Sequence, residues 1–393
     1  MTDIRTHGLQ LDFIALKYEE PRAFVETYGF AGSQGFVHID AVLMHPEGHA
    51  SETLFVFMHP TAAQHVLPVP RALASQGCHV LCAQNRYFRN DTALIFEKTI
   101  LDLGAHIRHA KEVLGYKKIV LVGWSGGGPL TTFYQSQAEN PTITSTPAGD
   151  PVNIRDARLI PADALIFQAA SISRAQILAD YIDPSVLDEA NPDRRDASLD
   201  IYDPANTNQP PYSAAFIERY RAAQYARIRR ITSWVKQQIA ELKSRGSVEL
   251  EQGFVTHRTM ADPRWLDVTI DPNDRKAGMS FIGDPRSANN GPAGFARFSS
   301  LRSWLSQWSI DDSVANAEEC VRHIRVPLLA IENSADDAAP TSHMKAVYNA
   351  AASPDKMLKV IEGANHYYTG RPELLEEACR LMTSWLRERK LLA

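Results

Sequence analysis

Short apolar runs alternate along this chain with segments whose apolar residues recur at helical spacing. The runs predict strands at residues 36–44, 53–58, 78–83, 119–122 and 162–169. Most of them are apolar or β-branched nearly throughout, which is typical of strands buried on both faces of a parallel sheet. Residues 99–114 carry apolar side chains three and four positions apart and predict a helix between two of these strands. The pattern therefore predicts an α/β fold with a doubly wound, mostly parallel sheet.

The alternation stops in the middle of the chain and returns near its end. Residues 171–310 are rich in proline, arginine and polar turns, and they contain one long helical stretch at 212–245. After them, residues 325–332 and 357–361 predict two more strands. Residues 372–389 predict an amphipathic closing helix. The middle of the chain is therefore expected to be a largely helical insertion into the α/β core.

Composition is ordinary for a globular protein. The chain has 393 residues, of which 44% are hydrophobic and 22% are charged, so it can bury a large core. Its formal net charge of −5 argues against a surface for nucleic acid or for an anionic membrane. We expect residues 1–170 and 311–393 to form the core, and residues 171–310 to form the insertion.

The sequence also favours a cytoplasmic location. Residues 1–7 contain no basic segment that leads into an apolar run, so no secretory signal is expected. No apolar stretch approaches the ~20 residues that span a bilayer. The four cysteines show no spacing typical of a disulfide framework, which favours a reducing compartment. The residues leave the oligomeric state open, a homodimer included.

The chemistry centres on residues 123–127, Gly-Trp-Ser-Gly-Gly, which directly follow a predicted strand. Gly123 and Gly126 remove side chains that would crowd a sharp turn, and Ser125 lies at its apex. A serine hydroxyl becomes a good nucleophile only when a neighbouring base takes its proton. Ser125 is therefore expected to face residues from elsewhere in the chain. A serine in an ordinary glycine-rich loop is the alternative.

This G-x-S-x-G turn resembles the nucleophile elbow of the α/β-hydrolase family. That family keeps its acid in a turn after a late strand, commonly four residues before a proline. Asp336 has this spacing from Pro340, and Asp337 is the alternative acid. The family keeps its histidine after the last strand, where a Gly-x-x-His sequence places His366. The resemblance thus implies a triad of Ser125, Asp336 and His366, in the family's chain order.

The resemblance also implies an oxyanion hole with two donors. One is the N–H of the residue after the nucleophile, which is Gly126. The other comes from the loop after the strand at 53–58, where the family usually has His-Gly and this chain has His59-Pro60. Because proline has no N–H, the donor is expected at Thr61. A purely structural role for His59 is the alternative.

Three further residues are candidates for contact with substrate: Trp124, Arg86 and Trp304. Trp124 precedes the nucleophile. Arg86 lies where many α/β-hydrolases carry an Asp-x-Arg loop, and anchoring of that loop is its alternative role. Trp304 lies four residues before Trp308 on a predicted helix, so it either lines an apolar pocket or packs in the interior.

The insertion falls where α/β-hydrolases carry the cap that covers the active site. Its long helix is rich in arginine and lysine. These side chains either form a solvated face or point inward to attract a carboxylate or phosphate of the substrate.

No metal and no cofactor are expected. His106 and His109 lie three residues apart on a predicted helix, but no further cysteine or carboxylate ligands accompany them. Solvated helix histidines are the favoured interpretation.

The implied activity is that of a cofactor-free serine hydrolase. It would cleave a carboxylic ester, lactone or thioester of small to medium size through an acyl-enzyme on Ser125. An acyltransferase or a C–C bond hydrolase with the same triad remains open. So does a ligand-binding relative whose triad does not react.

Overall fold

The computed structural model describes residues 8–20, 36–246, 251–292 and 294–393. In chain order, its strands are β1 (Leu9–Glu19), β2 (Phe36–Pro46), β3 (Thr53–Phe57), β4 (His79–Ala83), β5 (Lys118–Ser125), β6 (Ala164–Ala170), β7 (Gly253–Val255), β8 (Phe298–Ser300), β9 (Leu328–Asn333) and β10 (Lys356–Ile361). The N-terminal residues 1–7, in which no signal was expected, lie outside the described residues.

Eight of these strands form one sheet in the order β1-β2-β4-β3-β5-β6-β9-β10. The pairs β1·β2 and β2·β4 are antiparallel, and every other pair in this sheet is parallel. β7 and β8 form a separate antiparallel pair. The doubly wound, mostly parallel sheet expected from the sequence is confirmed.

Helices cover both faces of the large sheet. In chain order they are α1 (Pro68–Ser75), α2 (Phe96–Glu112), α3 (Gly127–Glu139), α4 (Ile154–Ala157), α5 (Arg174–Tyr181), α6 (Ala214–Ser244), α7 (Pro285–Asn290), α8 (Leu301–Gln307), α9 (Ala317–Cys320), α10 (Thr341–Ala350) and α11 (Pro372–Glu388). Three short 3₁₀ helices complete the described helical elements. Within the described ranges, no helix combines the length and the apolar character needed to cross a bilayer.

The central strand β5 contributes to two apolar clusters, one on each face of the sheet. Ile119 and Leu121 pack with the apolar side chains of α2 and α3. Val120 and Val122 point the other way and pack with those of α1 and α11. Because successive side chains of a strand point to opposite faces, a strand covered on both sides must be apolar at consecutive positions. This explains the continuous apolar run before the serine.

The chain between β6 and β9 adds no strand to the large sheet among the described residues. This stretch contains α5, α6, β7, α7, β8 and α8. α6 and α8 pack together through an apolar cluster that includes Ile231, Val235, Trp304 and Trp308. A largely helical insertion is therefore present, whereas the division into units at residues 170 and 310 stays a prediction.

Candidate active site

Ser125 ends β5, and α3 begins two residues later at Gly127. The serine has φ = 56°, in the left-handed region that side chains other than glycine avoid. The surroundings impose this strain, because little room exists beside the turn. A Cβ added to Gly123 would lie 2.6 Å from the Cα of Gly128, and one added to Gly126 would lie 2.9 Å from His59 Nε2. The turn holds Ser125 at the carboxyl end of the sheet.

The structure brings Ser125, His366 and Asp336 together. Ser125 Oγ lies 3.1 Å from His366 Nε2, and His366 Nδ1 lies 2.8 Å from Asp336 Oδ2. The exposed fractions are 2% for His366 and 3% for Asp336. An ionised carboxylate only accepts hydrogen bonds, so Nδ1 carries the proton of the neutral ring and Nε2 can accept the proton of the serine.

Backbone groups fix the carboxylate of Asp336. Its Oδ1 accepts the N–H groups of Ala338 at 2.7 Å and of Ala339 at 2.8 Å, which leaves Oδ2 for the histidine. Asp337, the alternative acid, makes no such contact with the imidazole within hydrogen-bonding distance in the described structure. Burial and the nearby charge of Asp336 raise the pKa of Asp337 to about 6.

Trp124 supports the histidine from behind. Its Nε1 donates to the backbone carbonyl of His366 at 3.3 Å, and the two ring centroids lie 4.5 Å apart. The indole is buried, with 6% of its surface exposed. It also lines a small cavity with Phe57 and Tyr367. These contacts are those of a residue that positions His366.

Side chains of the insertion contact the loop after β9 that carries Asp336 and Asp337. The sequence did not predict these contacts. Asn273 Nδ2 donates to the carbonyl of Asp336 at 2.7 Å, and Trp265 Nε1 donates to the carbonyl of Asp337 at 2.8 Å. The ring of Phe281 lies 6.4 Å from that of His366, centroid to centroid. No motif marks these residues. The sequence indicated only that they belong to a stretch expected to cover the active site.

The loop after β3 is closed on the side chain of His59. The N–H groups of Thr61 and Ala62 both donate to His59 Nδ1, at 3.0 and 2.8 Å. Asn85 Nδ2 donates to the carbonyls of His59 at 3.0 Å and of Pro60 at 2.9 Å, which anchors the loop from outside. The Thr61 N–H, expected to serve the oxyanion hole, is thus already engaged by an imidazole.

Arg86 lies in a buried ionic cluster, where it anchors structure. Its guanidinium bonds Asp102 at 2.8 Å, Glu20 at 2.6 Å and the hydroxyl of Tyr18 at 2.7 Å. These partners belong to α2, to β1 and to the residue after β1. These contacts favour the anchoring role over substrate contact, because two carboxylates already neutralise the charge of Arg86.

Trp304 packs in the interior, which is one of its two expected roles. It is fully buried in the α6–α8 cluster. Its Nε1 donates to Thr232 Oγ1 at 2.9 Å, and its ring stacks on that of Trp308 at 4.8 Å. The indole is therefore part of the insertion's interior, which favours packing over contact with substrate.

The basic side chains of α6 and of the residue after it all have partners within the protein. Six of them each form an ion pair with a carboxylate: Arg221, Arg227, Arg229, Arg230, Lys236 and Arg245. Backbone carbonyls accept from Arg219 and Lys243. These contacts favour a structural role over recruitment of an anionic substrate.

His106 is buried, so the expectation that it is solvated is wrong. Its Nε2 lies 2.9 Å from the carbonyl of Gln84, and burial lowers its pKa to about 4. His109 is half-buried on the same helix. In the described part of the chain, no group of three or more histidine, cysteine or acidic side chains is placed to hold a metal ion.

Comparison with known proteins agrees with the fold. No protein-family model matches the chain, and no curated protein matches it. A solved structure of DcsB in complex with its substrate analogue aligns with 96% of this chain and 99% of its own, at 13% identity and a TM-score of 0.51. The chain therefore has an α/β-hydrolase fold, with the strand order and nucleophile elbow described above.

Two other solved structures are similar over comparable lengths. The esterase domain of a Rhodothermus marinus protein aligns with 96% of this chain and 98% of its own, at 14% identity and a TM-score of 0.46. Est1E from Butyrivibrio proteoclasticus aligns with 89% of this chain and 96% of its own, at 14% identity and a TM-score of 0.44.

Proposed function

We propose that this protein is a serine hydrolase that cleaves a carboxylic ester, lactone or thioester through an acyl-enzyme on Ser125. The observation that carries the proposal is the pair of contacts from Ser125 Oγ to His366 Nε2 and from His366 Nδ1 to Asp336. A buried imidazole between a carboxylate and a strained, projecting serine is the arrangement that acyl transfer requires.

In the first half of the reaction, His366 Nε2 takes the proton of Ser125 as Oγ attacks the carbonyl carbon. Asp336 keeps the imidazole in the correct tautomer and stabilises its positive charge. The Gly126 N–H, directly before α3, stabilises the negative oxygen of the tetrahedral intermediate in this scheme. His366 then gives its proton to the leaving alcohol or thiol, and Ser125 keeps the acyl group.

In the second half, a water molecule attacks the acyl-enzyme. His366 takes a proton from the water, and the second tetrahedral intermediate collapses to release the carboxylic acid. Ser125 regains its proton from His366. The reaction consumes one water molecule and needs no cofactor.

The insertion supports a small or medium substrate with an apolar part. Phe281 lies beside His366, and Phe295 lies 5.8 Å from Phe281, measured between ring centroids. Both rings are partly buried and join the apolar cluster that contains Tyr181 and Trp265. Aromatic rings of this kind favour an aliphatic or aromatic group next to the scissile bond.

We further infer that the reaction takes place in the cytoplasm. Cys78, Cys82, Cys320 and Cys379 are all free and buried. Unpaired buried thiols suit a reducing compartment.

The test is a panel of short, long, cyclic and anionic esters and thioesters, assayed with the wild type and with Ser125→Ala. A fluorophosphonate probe should label the wild type on Ser125 and leave Ser125→Ala unlabelled. The substitution should lower kcat by several orders of magnitude, as loss of a triad member does. Equal labelling or equal turnover of the two proteins would refute the proposal.

A further inference from the structure

The unusual feature next to Ser125 is a buried, neutral histidine that the triad does not use. His59 lies in the loop after β3, directly after Met58, and only 8% of its surface is exposed. Its Nδ1 accepts two backbone N–H groups, from Thr61 and Ala62. A nitrogen that accepts two hydrogen bonds carries no proton, so the proton of the neutral ring is on Nε2.

The ring also stays neutral across the working range of an esterase. Burial, the positive charge of Arg174 and the charge of His366 together lower the pKa of His59 to about 3. Nε2–H is therefore a permanent donor. No described residue accepts a hydrogen bond from it.

This donor lies next to the elbow. A Cβ on Gly126 would lie 2.9 Å from Nε2 and 3.4 Å from the neighbouring Cε1, so the Nε2 edge of the ring borders this glycine. Gly126 is also the residue whose N–H is placed to bind the oxyanion. The rings of His59 and Trp124 lie 6.0 Å apart, centroid to centroid, so the imidazole also neighbours the residue before Ser125.

We propose that the side chain of His59, through Nε2–H, is the second oxyanion donor beside the Gly126 N–H. It replaces the Thr61 N–H, whose hydrogen bond to Nδ1 fixes the tautomer instead. The inference rests on the proposed acyl transfer at Ser125. A preorganised donor already fixed before the reaction stabilises the developing charge without reorganisation.

Two substitutions separate the two nitrogens of His59. In His59→Asn, the amide oxygen can replace Nδ1 as the acceptor for Thr61 and Ala62, but the Nε2 donor is lost. In His59→Gln, the longer side chain can place an amide N–H near the former Nε2 position, but the Nδ1 acceptor is lost. If the ring only supports the loop, His59→Asn should keep more activity than His59→Gln. If Nε2–H binds the oxyanion, His59→Gln should keep the higher kcat.

We expect His59→Asn to lower kcat by about 10²–10³ with little change in KM, as loss of one oxyanion donor does elsewhere. It should weaken inhibition by a trifluoromethyl ketone, whose serine adduct carries the oxyanion, by a similar factor. His59→Gln should retain more of kcat than His59→Asn. Thermal unfolding of both variants reports whether the loop is intact.

A measurement without substrate adds a second criterion. Nitrogen-15 NMR of the wild type should show His59 neutral and protonated on Nε2 from pH 5 to 8. A ring protonated on Nδ1, or one that titrates in this range, would overturn the proposal. The proposal would also be overturned if His59→Asn showed the turnover and inhibition of the wild type while Ser125→Ala was inactive. If Ser125→Ala retains full activity, the acyl-enzyme itself is refuted, and the role of His59 with it.

Discussion

The indole of Trp124 lies against the imidazole of His366, with ring centroids 4.5 Å apart and planes tilted by 37°, and it donates a hydrogen bond to the carbonyl of the same residue. The residue before Ser125 therefore supports His366, which lies 242 positions later in the chain. The ring contact restricts the imidazole from one side, and the hydrogen bond holds the backbone that carries it.

Trp124→Phe should lower kcat by about 2- to 10-fold, because it keeps an aromatic ring and removes one hydrogen bond worth about 0.5–1.5 kcal/mol. Trp124→Leu removes the ring contact as well and should lower kcat further. Steady-state kinetics and the rate of fluorophosphonate labelling check both variants. An unchanged kcat in Trp124→Leu would show that the indole does not position His366.

Asp336→Asn should lower kcat by about 10⁴, because an amide in place of the carboxylate favours the wrong tautomer of His366. Asp337→Asn is the matched control and should keep most of the activity, since its side chain does not contact the imidazole. The comparison is made at saturating substrate and neutral pH. A larger loss in Asp337→Asn than in Asp336→Asn would reassign the acid.

Asp337→Asn should also change how stability depends on pH. Burial and Asp336 raise the pKa of Asp337 from its usual value of 3.8 to about 6. Between these values the folded state holds a proton that the unfolded state has lost, so this group lowers the free energy of unfolding as the pH rises through the interval. The variant should be more stable than the wild type by about 1–3 kcal/mol at pH 8 and not at pH 3.5. Urea unfolding at both pH values measures this, and an equal difference at both would contradict it.

The contact of His366 with Ser125 and Asp336 could be predicted because each of these residues belongs to a local pattern. Ser125 lies between glycines after a buried strand, and His366 follows the last strand in a Gly-x-x-His loop. The supporting contacts have no such pattern. Asn273 reaches Asp336 across 63 positions, and its neighbours resemble any other polar turn. Long-range contacts of this kind depend on packing that a short stretch of sequence does not encode.

The edge strand β1 was not predicted from the sequence, for a different reason. β1 pairs with β2 along its whole length, yet the sequence before residue 30 gave no clear signal. Phe13 is 70% exposed and Leu11 is 46% exposed, so apolar residues lie on the open face of this strand as well as on the covered one. The alternation that identifies a half-buried strand is therefore blurred.

The buried arginine of α6 should matter for stability and not for substrate choice. Arg227 bonds the carboxylate of Glu189 and the carbonyls of Asp183 and His257, which Arg227→Ala would leave unsatisfied. We expect a loss of about 2–4 kcal/mol in the free energy of unfolding. Arg229→Ala, on the exposed side of the same helix, is the control and should change little.

Neither arginine substitution should alter the ratio of kcat/KM for anionic and neutral esters, because both side chains are paired within the protein. A selective loss of turnover on anionic esters in Arg227→Ala would restore the alternative that the basic face of α6 recruits the substrate.

The two glycines of the elbow should fail in different ways when replaced by alanine. A Cβ on Gly123 would meet backbone atoms, the Cα of Gly128 at 2.6 Å and the carbonyl oxygen of Gly127 at 2.7 Å, which cannot move without distorting the turn. The three atoms nearest to a Cβ on Gly126 all belong to the side chain of His59. Gly123→Ala should therefore lose at least about 3 kcal/mol of stability, whereas Gly126→Ala should stay folded. Gly126→Ala should nevertheless lose activity, because displacing the imidazole of His59 moves a donor away from the oxyanion. Denaturant unfolding and kcat, measured on both variants, separate the two effects, and full activity in Gly126→Ala would mean that the position of His59 does not matter to the reaction.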